Sequence, residues 1–222
     1  MSKGRRFLLI GLRRQGLIMA AVLLVGLLYA LVMKWLLHSS VGYEYMLLTI
    51  SCVVPAVVMA LVIDEGLQFE VTRRDHWRIS LVLAGLQGLL FATINLLATL
   101  VLRALHVQPY GMVLFVFNNQ LWPTFVGGLF VGSLCGLLGI SAWFLLQRNM
   151  SWGVTAIIML VVILPIIISV PGMVLAREFA RVSLPFLLSF VLLMLVLNVL
   201  VALLNHHLFK RYEPIGRIGK RA

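Results

Sequence analysis

Residues 80–102 read SLVLAGLQGLLFATINLLATLVL, 23 residues without one charged side chain. About 20 apolar residues in a helix cross the hydrocarbon of a bilayer, so this run reads as a membrane-spanning helix. A strand reading fails. Backbone groups inside lipid are satisfied only in helices or closed barrels, and no segment shows the two-residue alternation of a barrel. Working outward, similar runs occupy 16–37, 45–63, 122–147, 153–170 and 186–208. Pro55 and Pro165 fall inside two of them, which membrane helices tolerate. Of the 222 residues 62% are hydrophobic and 11% charged, with a mean hydropathy of +1.08. A soluble domain of this size cannot hide so much apolar surface. The expectation is an all-α integral membrane protein with six transmembrane helices.

Polar and broken stretches divide the runs. Residues 64–78 form the longest polar segment, in which Leu67, Phe69, Val71 and Trp77 interrupt the charges. Residues 111–147 are too long for one span and too short for two, so 111–121, with Asn118, Asn119 and Gln120, reads as an interfacial or re-entrant piece. Residues 148–152 read as a tight turn, and 171–185 as a second non-spanning region. The Arg5–Arg6 and Arg13–Arg14 pairs share a helical face, which predicts a basic interfacial helix over 1–15. The organisation expected is this helix, a transmembrane domain over 16–208 and a basic tail over 209–222.

The formal charge is +11. Its distribution follows the bilayer rather than a nucleic acid, for which there is no motif. With six spans, one face receives Lys3, Arg5, Arg6, Arg13, Arg14, Arg73, Arg74, Arg78, Arg148, Lys210, Arg211, Arg217, Lys220 and Arg221, which is 14 of the 18 basic residues. The other face receives Lys34, Arg103, Arg177 and Arg181. The positive-inside rule then places both termini in the cytoplasm. Cys52 and Cys135 lie in apolar runs and read as small buried hydrophobes. The first apolar run exceeds signal-peptide length.

Gly128, Gly132 and Gly136 form a small-residue strip at four-residue spacing, and Ala84, Gly88 and Ala92 form another. Such strips let helix backbones approach closely. The uncharged polar residues Gln87, Asn95 and Asn198 within spans, with Asn118 and Asn119, are the candidates for lining a substrate path. Asn205 is a further amide within a span. No phosphate-binding loop, HExxH or nucleophile triad is present, so no catalytic residue, metal ligand or resident cofactor is expected. His206 and His207 are adjacent and diverge on a helix.

The segment Phe69-Glu70-Val71-Thr72-Arg73-Arg74-Asp75-His76-Trp77 resembles the G-V-T-R-R-x-F-F feature between the second and third spans of type-2 ABC exporter permeases. Val71, Thr72, Arg73 and Arg74 match it, and Trp77 takes an aromatic position. Residues 147–153 resemble the basic turn between spans four and five of the same family, without its usual Arg-Phe-Gly. The resemblance implies one permease half in a bacterial plasma membrane, paired with itself or a related chain. Separate cytoplasmic ATP-binding subunits carrying ATP and Mg would drive it. Residues 64–78 would then be the coupling segment, docking through Glu65, Glu70, Arg73, Arg74 and Asp75 and anchored by Leu67, Phe69 and Trp77. Three other readings stand beside it: a substrate-capturing membrane subunit of a vitamin importer, a non-transporting membrane assembly protein that uses the glycine strip, and an integral membrane enzyme.

Overall fold

The computed structural model describes residues 3–37, 73–104, 121–159 and 184–210. They form five helices: α1 Lys3–Leu37, α2 Arg73–Ala104, α3 Leu121–Arg148, α4 Met150–Ile158 and α5 Leu184–Lys210. Among the described residues three helical stretches are long and apolar enough to cross a membrane: Trp77–Leu97, Leu121–Leu146 and Leu187–Lys210. The chain is thus a multi-span helical membrane protein.

This count corrects the expectation of six transmembrane helices, and with it the resemblance to the six-span type-2 ABC exporter permeases. A small all-α protein with three candidate spans among the described residues does not have that plan. The physical reason is that apolar composition registers a window, whereas a span needs a continuous helix of about 20 residues. Of the expected fifth span, 153–170, residues 153–158 belong to α4 and 160–170 lie outside the described residues. The expected interfacial helix over 1–15 is not a separate element either. It is continuous with residues 16–37 in the 35 residues of α1, since no Pro or capping residue intervenes at Gln15–Gly16. The even-span argument for both termini on the cytoplasmic face falls with the count, although the helix contacts place the start of α1 and the end of α5 at the same end of the bundle. The expected span 45–63, the re-entrant piece 111–120, the segment 171–183 and the tail 211–222 lie outside the described residues.

The core is the α2–α3 pair, which runs antiparallel. Gly128 lies against Ala92, Gly132 against Gly88 and Phe91, and Gly136 against Ala84 and Gln87. A Cβ built on Gly132 would stand 2.5 Å from the Phe91 Cβ and 3.0 Å from the Gly88 Cα. One built on Gly88 would collide with the Leu129 carbonyl. Side chains of zero size therefore set the interaxial distance, and close backbone approach supplies the dispersion contacts that hold membrane helices together. Phe91 and Ile140 fill the core beside the strip, both essentially inaccessible.

α5 runs parallel to α3 and packs chiefly on it, as the pairings of residue 198 with 133 and 205 with 141 require. Only 6% of its spanning window is buried, against 56% for α2 and 61% for α3, so α5 is the outermost of these three helices among the described residues. At its C-terminal end Phe209 sets its ring edge-on to Phe144 at 5.4 Å, and His206 lies 5.0 Å from Trp77 of α2. α3 turns into α4 at Asn149, whose side chain accepts from the Ser151 backbone N–H at 3.1 Å, an N-cap. Gly153 sits in that turn because a Cβ there would run into the Leu146 backbone.

Candidate functional site

In a bilayer the residues that stand out are polar ones, because each needs a partner where water is scarce. Three polar nodes are among the contacts that join the described helices. On α5, Asn198 and Asn205 are seven residues apart, two helical turns, and so share one face. Asn205 Nδ2 donates to the Leu137 carbonyl at 2.8 Å, and Ser141 Oγ donates to Asn205 Oδ1 at 2.6 Å. Asn198 repeats the pattern one rung along: Nδ2 donates to the Phe130 carbonyl at 3.1 Å, and Ser133 Oγ donates to its Oδ1 at 3.0 Å. Carbonyls 130 and 137 are also seven apart. The two rungs are one device used twice.

The third node joins α1 to α2. Gln15 is fully buried; its Nε2 donates to Gln87 Oε1 at 2.7 Å and to the Leu83 carbonyl at 3.1 Å. Gln87 Nε2 in turn reaches Met19 Sδ at 3.4 Å. Met19 is one turn beyond Gln15, and Gln87 one turn beyond Leu83, so α1 and α2 run parallel here. Gln15 Oε1 is buried and accepts no hydrogen bond. Gln15→Leu, which removes both donors, is expected to loosen α1 from α2 while the α2–α3 pair holds, at a cost of about 1 kcal/mol. Pulsed-EPR distances between labels at Leu24→Cys and Leu97→Cys would broaden; an unchanged distribution would show that apolar packing alone seats α1.

The path candidates are placed as follows. Gln87 is inside the α1–α2 node, Asn95 is buried on α2, and Asn198 faces α3. They do not converge: Gln87 bonds towards α1, and Asn198 bonds to α3. Asn118 and Asn119 lie outside the described residues. The six small residues of the two strips are brought together as three facing pairs. Of the coupling candidates, Glu65, Leu67, Phe69 and Glu70 lie outside the described residues, Arg73, Arg74 and Asp75 stand in the first turn of α2, and Trp77 is half-buried against His206. Among the described residues no group of three or more His, Cys, Asp or Glu side chains is positioned to hold a metal ion.

Sequence reasoning missed Gln15, Ser133, Ser141 and the Trp77–His206 contact. The seven-residue spacing of Asn198 and Asn205 is a legible signal of a shared face. Gln15 is visible only as a lone amide four residues from both Gly11 and Met19.

The helices also sort the charge. α1 and α2 begin, and α3 and α5 end, at the same end of the bundle. Arg13, Arg78 and Lys210 are exposed there, and Arg148 closes α3 at that end. Comparison of the chain with protein-family models, with curated proteins and with solved structures finds no match.

Proposed function

We propose that this chain is a permease subunit of a bacterial plasma-membrane transport system, powered by a separate cytoplasmic ATPase. The observation that supports it most is the junction at the basic end. The first turn of α2, with Arg73 and Arg74, emerges where Trp77 meets His206 of α5. A push delivered to that turn passes to α5 through the ring contact and to α3 through the glycine strip, whose backbones have no slack to absorb it. A cytoplasmic partner docked on residues 64–78 would thus move several helices together. ATP and Mg would reside on that partner, and the chain would pair with itself or a related chain to complete a path.

The non-transporting assembly reading also has an observation in its favour. Asn198 and Gln87 are engaged in helix-to-helix bonds rather than turned to an opening, as a membrane scaffold requires. Purification in mild detergent separates the two. An ATPase recovered in near-equal amount, whose hydrolysis this chain stimulates and whose stimulation falls at least about tenfold in Arg73→Glu/Arg74→Glu, is the transport outcome. The tenfold corresponds to about 1.4 kcal/mol of docking energy. Recovery without any ATPase, or stimulation indifferent to the charge reversal, would set the permease reading aside in favour of assembly.

A further inference from the structure

The contacts between helices place one level of each of four helices in a single layer across the bundle. Gln15 of α1 meets Leu83 of α2, Ala84 meets Gly136 of α3, and Leu137 meets Asn205 of α5. From that layer, Arg13 is two residues away and Arg78 and Lys210 are five, all towards the same end. At about 1.5 Å per residue they lie within about 8 Å of it.

The outward faces change character at this level. On α1 a mixed face of exposed Arg6, Leu9 and Arg13 gives way to exposed Leu17, Leu24 and Leu28. On α2 the change falls between Arg78 and Leu81, and on α5 between Leu204 and His207. A helix facing lipid is apolar as far as the hydrocarbon reaches and polar beyond it, so three coincident changes mark one headgroup plane. The thickness agrees. From Arg78 no charged side chain follows until Arg103, 25 residues on, a run long enough to cross about 30 Å of hydrocarbon. Towards that far end Trp35 and Trp122 stand 80% and 70% exposed, as interfacial tryptophans do.

Asp75 is the only acidic residue in the described segments. Arg13, Arg78 and Lys210 are exposed, and in a bilayer what lies at that depth is the phosphate layer. Guanidinium groups bind phosphate oxygens in a fork, and an ammonium binds them as a point charge.

We infer that Arg13, Arg78 and Lys210 form a belt that recruits anionic phospholipids of one leaflet through their phosphate groups. This inference does not rest on the transport reading, since it concerns the lipid-facing surface of the folded chain. It predicts selective lipid capture by the protein alone. The full chain in nanodiscs made from mixed phosphatidylcholine and phosphatidylglycerol is expected to enrich phosphatidylglycerol roughly threefold to fivefold over the bulk ratio, read by native mass spectrometry. The enrichment falls as salt rises. The triple variant Arg13→Gln/Arg78→Gln/Lys210→Gln returns to the bulk ratio, and Arg13→Lys/Arg78→Lys/Lys210→Arg keeps the enrichment. Bulk ratio in the wild type, undiminished enrichment in the glutamine variant, or loss of enrichment when inorganic phosphate replaces chloride at constant ionic strength would each overturn the proposal, the last by revealing a small-anion site. If the glutamine variant does not insert, the salt series on the wild type decides, because enrichment indifferent to salt is not electrostatic.

Discussion

Gly132→Leu is expected to destabilise the bundle by about 3 kcal/mol, the upper part of the ordinary range for overpacking. The first added carbon alone would come 2.5 Å from the Phe91 Cβ and 3.0 Å from the Gly88 Cα. Phe91 cannot swing aside cheaply, since it is 1% exposed. Gly88 cannot retreat without dragging α2 away from the Leu129 carbonyl and Ser133, which it touches in turn. The helices must separate, and dispersion energy falls off steeply with distance along the whole seam. Gly85→Leu is the matched control: it sits on the same pair of helices with nothing within 4 Å of its added carbon, and its expected change is within about 0.5 kcal/mol. Unfolding of both variants in bicelles by graded denaturant gives the comparison. Equal stabilities would mean that the glycine seam is not what holds α2 to α3.

The second large effect is expected from Asn198→Leu/Asn205→Leu. An interhelical hydrogen bond in a membrane protein contributes about 0.6 kcal/mol on average and at most about 1.7. Four such bonds lost from the two rungs amount to about 2 kcal/mol. The left-behind hydroxyls soften the loss, because Ser133 and Ser141 already lie 3.0 and 3.1 Å from carbonyls of their own helix and are not orphaned. The larger consequence is in orientation. α5 is apolar on nearly every side and barely buried, so hydrophobicity does not distinguish one rotation about its axis from another. The two asparagines do. With both replaced, α5 is expected to sample several rotations, so that a cysteine introduced at buried Phe190 becomes reactive to a lipid-soluble maleimide several-fold faster. A reactivity matching that of the same cysteine with both asparagines present would mean that Phe144 and Phe209 suffice to orient the helix.

Gly88 and Gly132 show how far such features are legible in advance. Their four-residue spacing marks a smooth strip on each helix, and the strips do face each other. The register of 132 against 88 is a matter of two surfaces meeting, however, and no local pattern encodes it. Asn198 shows the opposite case. As a polar residue in an apolar run it is naturally read as a lining group, yet its partners are Ser133 and the Phe130 carbonyl, 65 or more positions away. A polar side chain in lipid must find some partner; which one depends on what packs beside it.

What the residues determine alone is the solvent and the charged end. Transfer of a side chain into hydrocarbon is a local quantity, additive along a run, so 80–102 reads as membrane-embedded with no knowledge of its neighbours. Only the tertiary structure decided that 3–37 is one unbroken helix, that three of the described helices qualify as spans, and that the amides join helices. Continuity and pairing depend on contacts between distant segments, and their free energy does not reside in any single run.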